Sequence, residues 1–332
     1  MMKKSISALI LLCIVSLPLS GQGREIKKDI SRSFDAHKGT VLHLKHGDGN
    51  VTLNSWDKDA VEIKVHYRAS YGTVGTGGKR DFDVEFSQSG NDIYVTGKET
   101  GTVSTGIHFH RQYEYEYTIQ APAFLDLDLN GKDGNLFIND WNSVIHIDCE
   151  DGDVELRNTR SDDAVIRLED GDISLNDFKG VLTLSAEDGD VRMNGCIFTA
   201  CKIRLEDGDI TGRELSGDFD LKLEDGDARL DDVSVAEFEC ATQDGDVILG
   251  VQKADEIRCE ISTEDGDVLL RLGRDISARV EIDTDDGSIR CDVPGQSDYK
   301  KKKNHLSTVL GDGDGWIRVS TGDGNVTVRE LR

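Results

Sequence analysis

The stretch Ile145-His146-Ile147-Asp148-Cys149-Glu150-Asp151-Gly152-Asp153-Val154-Glu155-Leu156 returns 19 residues later as Ala164-Val165-Ile166-Arg167-Leu168-Glu169-Asp170-Gly171-Asp172-Ile173-Ser174-Leu175. Apolar or small residues stand three, five and seven positions before each glycine, and two and four positions after it. Period-two alternation on both sides predicts two short strands, each with one face buried. The buried set is odd-numbered before the glycine and even-numbered after it, so the phase slips at Asp-Gly. Such a slip marks a sharp corner, where glycine supplies a positive φ.

Working outward, the acidic-Asp-Gly-Asp motif places glycines at Gly134, Gly152, Gly171, Gly189, Gly208, Gly226, Gly245, Gly266 and Gly287, spaced 18 to 21 residues apart. Gly324 lies 37 residues after Gly287, two periods on, and Gly49 lies 85 residues before Gly134. Repeats of about 20 residues signal a solenoid, whose single coil cannot bury a core by itself. A third apolar position recurs seven residues after the glycine, at Trp141, Phe178, Cys196, Leu215 and Val233, and predicts a third side. With no helical period in the repeat region, the fold class expected is all-β: a single-chain parallel β-solenoid, or β-helix, of about 18–21 residues per coil. Each strand carries two or three inward residues, which fits a six-residue left-handed β-helix poorly.

Three regions follow. Lys3 and Lys4, the apolar run Ile6 to Leu19 and the Gly21-to-Gly23 end predict a signal peptide over 1–23 and an exported mature chain, in the periplasm, envelope or extracellular space. The run is too short for a comfortable membrane span, and no later stretch supplies a transmembrane segment. Residues 24–133 read as an N-terminal β section whose hairpins cap the solenoid, continuous with repeats over 134–332. A second excursion, Pro294 to Leu310, carries Lys300 to Lys303 and reads as an exposed loop before the last coils.

The chain has 332 residues, 39 Lys+Arg against 64 Asp+Glu, and a formal charge of -25. That balance argues against a nucleic-acid or anionic-membrane partner, since phosphate binding rests on clustered Lys and Arg. A hydrophobic content of 37% supports a core rather than disorder, and 35 Gly with only 3 Pro and no triplet period exclude collagen.

The residues Ser33-Phe34, Gly47-Asp48-Gly49-Asn50-Val51, Trp56-Asp57-Lys58 and Tyr117-Thr118-Ile119-Gln120-Ala121-Pro122, then the Asp-Gly-Asp-Val coils and Val319-Ser320-Thr321-Gly322-Asp323-Gly324-Asn325-Val326, form a recognisable series. Over about residues 25–332 it resembles the putative-adhesin family of exported bacterial β-solenoid domains, and is similar to the head-domain adhesin-like family. The resemblance implies an exported or envelope-associated, non-enzymatic protein and carries no catalytic motif. The uniformly acidic corner and the four consecutive lysines depart from the family pattern.

The corner is the candidate site. Stacked coils would align Glu150, Glu169, Glu187, Glu206, Glu224 and Glu264 in one column. A second column takes Asp151, Asp170, Asp188, Asp207, Asp225, Asp244, Asp265 and Asp286, and a third takes Asp153, Asp172, Asp190, Asp209, Asp227, Asp246 and Asp267. Like charges about 5 Å apart repel by roughly 1 kcal/mol in water and about 3 at an effective dielectric of 20. Splayed side chains, carboxylates accepting turn N–H groups, the cations Arg167, Arg204 and Lys222, or bound Ca²⁺ would offset this. Paired carboxylates and turn carbonyls meet calcium's demand for six to eight oxygens, although neither the nonapeptide calcium repeat nor an EF-hand spacing is present. Asp is equally a turn former that bonds its own backbone. No other cofactor is indicated.

Six cysteines follow the leader: Cys149, Cys196, Cys201, Cys240, Cys259 and Cys291. All but Cys196 fall at inward strand positions, as buried small hydrophobes. The run from His108 to Tyr117 alternates His108 and His110, an i, i+2 pair able to chelate a metal, with the aromatic strip Phe109, Tyr113, Tyr115 and Tyr117. It reads as a strand that covers the core with its aromatic face. Carboxylates are too abundant to single out a hydrolytic pair. The expectation is a non-enzymatic structural or adhesin-like surface protein presenting acidic ladders to a protein or glycan. A calcium-dependent binding module, or a carbohydrate-active β-helix enzyme, is the alternative.

Overall fold

A computed structural model describes residues 24–74, 80–101, 107–254, 256–294 and 296–331; the signal-peptide segment 1–23 and the side chains of residues 107–112, His108 and His110 among them, lie outside the described set. The described residues form 29 strands and no helix. The N-terminal third contains β1 (Arg24–Asp35), β2 (Val41–Gly47), β3 (Asn50–Ser55), β4 (Ala60–Val74), β5 (Arg80–Ser89), β6 (Asp92–Gly101) and β7 (Ile107–Ala121). Regular coils follow as strand pairs: β8 (Asp126–Asp133) with β9 (Leu136–Asn139), β10 (Ile145–Asp151) with β11 (Val154–Arg157), β12 (Arg160–Asp170) with β13 (Ile173–Asn176), and β14 (Lys179–Asp188) with β15 (Val191–Asn194). Next come β16 (Ile197–Asp207) with β17 (Ile210–Ser216), β18 (Phe219–Asp225) with β19 (Ala228–Ser234), β20 (Glu237–Asp244) with β21 (Val247–Lys253), and β22 (Arg258–Asp265) with β23 (Val268–Leu272). The chain ends with β24 (Ala278–Thr284), β25 (Ile289–Asp292), β26 (Gln296–Lys301), β27 (His305–Leu310), β28 (Gly315–Thr321) and β29 (Val326–Glu330).

Each coil pairs in parallel with the next, pre-corner strand on pre-corner strand and post-corner strand on post-corner strand. Ile147 thus faces Ile166, and Leu156 faces Leu175. Predicted inward residues of successive coils are buried: Ile145, Ile147, Leu156, Ile166, Leu175, Ile203 and Leu221 are each no more than 1% exposed. The third side is real as well, with Trp141, Phe178, Cys196, Leu215 and Val233 all buried. In the six coils from Gly134 to Gly226 the chain reaches that side through a second corner six residues after the glycine. There Asp140, Asn158, Asp177, Glu214 and Asp232 adopt φ between 49° and 58°, the left-handed region that Asn and Asp tolerate best among side-chain-bearing residues.

The stacking order departs from chain order at both ends. β2 lies between β6 and β8, and β3 between β7 and β9, so the first coil in sequence is the second in space. At the other end β28 lies between β22 and β24, and β29 between β23 and β25. Gly324 therefore does not follow Gly287 in the stack, as two periods of sequence suggest; it precedes it. The outer edges carry antiparallel strands, which cover backbone groups that an open parallel edge would leave exposed. β4 pairs with β7, β1 with β4, and β5 with β6. β27 pairs with β24 and with β26. The segment read as an exposed loop thus contains a hairpin of β26 and β27, with Leu306, Thr308 and Leu310 of β27 buried. Its lysines stay outward because they precede the alternating Leu-x-Thr-x-Leu run.

Aromatic packing consolidates the cap. Phe82 lies 4.8 Å from Tyr115 and Tyr67 lies 5.1 Å from Tyr115, between ring centroids. Tyr115 and Tyr117 turn inward as the alternation requires, while Glu114 and Glu116 face out. In the body, Phe178, Phe198, Phe219 and Phe238 stack through four successive coils at 5.6 to 6.2 Å. Among the described residues the six cysteines are free; all are buried except the half-buried Cys291. Burial pushes the Cys149 thiol up to about 11 and the Cys240 thiol up to about 12, so these cysteines act as apolar filling rather than nucleophiles.

Candidate functional site

The Asp-Gly corners superpose into a single edge. A Cβ on Gly189 would come within 2.1 Å of the Gly171 carbonyl oxygen, and one on Gly208 within 2.2 Å of that of Gly189. Backbone therefore rests on backbone along the whole edge, which is why glycine recurs there. The contact order also records the interleaving: Gly324 abuts Gly266, and Gly287 abuts Gly324.

The column after the glycine forms a hydrogen-bond relay. The Asp172 N–H donates to Asp153 Oδ1 at 3.0 Å, Asp190 to Asp172 at 3.0 Å and Asp209 to Asp190 at 3.1 Å. The series continues with Asp227 to Asp209 at 2.9 Å, and with Asp246 to Asp227 and Asp267 to Asp246 at 2.8 Å each. Its ends are uncharged. Asn135 donates to Asn50 and Asp153 to Asn135 at one end, and Asn325 donates to Asp267 and Ser288 to Asn325 at the other. Each side-chain oxygen thus satisfies a corner N–H of the adjacent coil, one of the ways named above to offset the charge of a carboxylate column.

The column before the glycine is arranged differently. Asp151, Asp170, Asp188, Asp207, Asp225, Asp244 and Asp265 are exposed and aligned in register from coil to coil. The Asp133 carboxyl is held above the usual range, chiefly by a hydrogen bond shared with Asp151. Asp170 is raised by desolvation first, then by the charges of Asp188 and Asp151. Among the described residues, one set of three His, Cys, Asp or Glu side chains brings its ligand atoms within 4.8 Å of one another: Glu281, Asp283 and His305, away from this corner.

The threonines at the inward corner position also serve the edge. Thr284 Oγ1 donates to the Gly324 carbonyl at 3.1 Å and Thr321 Oγ1 to that of Gly266 at 3.2 Å. At the other end the same position is His46, buried to 2% exposure, with neither ring nitrogen hydrogen-bonded among the described residues. Its ring fills the space left by Gly131, where a Cβ would lie 2.1 Å from His46 Nε2. Desolvation lowers its pKa to about 4.

A second candidate lies on the outward face of the post-corner strands. A groove of about 470 Å³ crosses β13, β15, β17 and β19, lined by Ser174, Asn176, Arg192, Asn194, Thr211, Arg213, Arg229 and Asp231, with Met193 and Gly212 at its floor. Short side chains at Ser174, Asn176 and Thr211 between longer arginines create the depression. Arg192 is fixed by Asp172 at 2.5 Å and Asp190 at 2.7 Å, and Arg229 by Asp231 at 3.2 Å. The bond from Arg192 holds Asp172 below the usual carboxylate range. Arg213 reaches Asp232 only at 3.5 Å and is widely exposed. The site offers planar guanidinium donors together with amides and hydroxyls that both donate and accept. The corner motif gave no hint of it; the signal was arginine at outward positions of consecutive post-corner strands, flanked by small polar residues.

An all-β repeat architecture with stacked Asp-Gly corners, relayed side-chain hydrogen bonds and capped ends defines a β-solenoid scaffold. The Toastrack DUF4097 family matches residues 40–270 and, in a second overlapping alignment, 182–329, and the chain belongs to that family. No curated protein matches it. Among solved structures it is similar to a "putative cell adhesion protein" from Clostridium sporogenes (13% identity, 92% of this chain and 100% of that one, TM-score 0.22). It is also similar to a "putative lipid binding protein" from Parabacteroides distasonis (12%, 90% and 96%, TM-score 0.34). A third is a "putative adhesin" from Bacteroides fragilis (12%, 91% and 97%, TM-score 0.31).

Proposed function

We propose that the protein is an exported, non-catalytic, adhesin-like scaffold of the cell surface that holds a glycan partner along its post-corner face. The groove carries this reading. It spans four coils, about 14 Å at strand spacing, and its lining pairs hydrogen-bond donors with acceptors, as a hydroxyl-rich chain requires. Successive coils repeat the same outward geometry, so a polymer gains affinity from many weak contacts rather than one deep pocket. The signal-peptide reading supplies the route to the surface. The acidic corner then serves first as architecture, because its inner carboxylates are engaged by backbone N–H groups.

A glycan array probed with the protein from residue 24 onward tests the proposal, with Arg213→Ala and Thr211→Leu as groove variants. Retained glycans whose signal falls in both variants support it. Binding unaffected by either variant, or no glycan bound, overturns it. Repeating the array with calcium and with EGTA tests the alternative expectation, a calcium dependence at Asp151 to Asp267, when paired with Asp170→Asn.

A further inference from the structure

At the opposite end of the molecule from the N-terminal cap, β24 and β27 bring together a mixed nitrogen and oxygen ligand set. Glu281 and Asp283 stand two apart on β24, so both project from its outward face. Across the antiparallel pair, Asp283 is in register with His305, and His305 Nδ1 lies 2.8 Å from Asp283 Oδ1. One ligand atom from each of Glu281, Asp283 and His305 falls within 4.8 Å of the others. Zinc requires about 2.0–2.2 Å to imidazole nitrogen and carboxylate oxygen, which small side-chain rotations on an exposed face supply. Arg318, 3.9 Å from Glu281, is the one cation ion-paired to the trio among the described residues, and the pair leaves Asp283 and His305 untouched.

We infer that Glu281, Asp283 and His305 form a divalent transition-metal site, with Zn²⁺ the best match. An imidazole excludes the all-oxygen shell that calcium prefers and selects a borderline metal. Three protein ligands leave a coordination position for water. Location gives the site its consequence. β24 is the outermost pre-corner strand of the C-terminal end, and β27 covers its free edge, so an ion bridging the two fastens the covering hairpin to the terminal coil. The inference is independent of the glycan reading.

Metal-free protein is titrated with Zn²⁺ and, separately, with Ca²⁺ by calorimetry, and with Co²⁺ by visible absorption. Wild type is expected to take up Zn²⁺ saturably and to give a Co²⁺ spectrum with nitrogen ligation. His305→Ala and Asp283→Asn are each expected to reduce the affinity of one equivalent by about 100-fold or more, beyond the 10–100-fold typical of losing an outer-shell partner. His146→Ala, which removes a different His–Asp pair on a pre-corner strand, leaves that equivalent intact. Zn²⁺ uptake that is absent in wild type, or unchanged in both His305→Ala and Asp283→Asn, overturns the assignment. So does Ca²⁺ binding to the same residues more tightly than Zn²⁺.

Discussion

Replacing Asp227 by asparagine and by alanine removes the same charge in both cases but keeps the corner acceptor in only one. In the relay, Asp227 receives the Asp246 N–H at 2.8 Å and donates its own N–H to Asp209 at 2.9 Å. Among the described residues it makes no ion pair, so the comparison is clean. Carboxylates one coil apart, about 4.8 Å, repel by about 1 kcal/mol each in bulk water; Asp227 is exposed, so this end of the range applies. Both variants recover that repulsion from two neighbours. Asparagine exchanges a charge-assisted hydrogen bond for a neutral one, a loss of about 1 kcal/mol, whereas alanine leaves the Asp246 N–H without its partner, a loss of about 1–3 kcal/mol. Asp227→Asn is therefore expected within about 1 kcal/mol of wild type and up to about 2 kcal/mol more stable than Asp227→Ala. Urea midpoints at pH 7 measure the difference, and hydrogen exchange at the Asp246 amide localises it. Equal midpoints for the two variants would refute the relay as the reason aspartate occupies this column.

Gly208→Ala is expected to destabilise by about 2–4 kcal/mol, because its φ of 139° is strained for any L side chain and the new Cβ meets the Gly189 carbonyl; thermal unfolding reads this, and a midpoint unchanged from wild type counts against backbone stacking at the corner. His46 titrates at about 4 when folded against an ordinary 6.5, so the unfolded chain binds its proton first as pH falls. The stability it contributes is complete above about 6.5, is lost progressively down to about 4, and amounts to about 3 kcal/mol. His46→Met should flatten that part of the pH–stability profile, and an identical acid limb in the variant would contradict the neutral buried imidazole. Deleting residues 315–331 removes a coil from inside the stack, and should therefore expose apolar surface to a dye such as ANS; a compact, dye-silent truncation would argue against the interleaved order.

The residues that declared themselves in the sequence were those under backbone constraint. Gly152 and its equivalents have no room for a side chain, and the alternation of Ile145, Ile147 and Cys149 is forced by a strand with one wet face. The third side was legible from Trp141 and Phe178. The corner before it was not, because Asp140, Asn158 and Asp177 tolerate a left-handed conformation without advertising it as glycine does. Stacking order was hidden for a different reason: Val319 and Val326 carry the same inward pattern whichever coil they join. The charge of Lys300 to Lys303 masked the alternation of Leu306, Thr308 and Leu310 that marks the hairpin. At the candidate site, the acid columns aligned as expected, but their division into an N–H-bonded column and an exposed one depends on side-chain direction at a corner. The groove and the Glu281–Asp283–His305 trio arise from residues brought side by side only by coil stacking or strand pairing.

The interleaving at the C-terminal end has a mechanical meaning. In a solenoid wound strictly in order, a load on the tail peels the final turn away one bond at a time. Here β29 is gripped on both flanks, by β23 and by β25. A pull on the tail must shear two parallel ladders at once before any turn comes free, so the strand that ends the chain is among the hardest to detach.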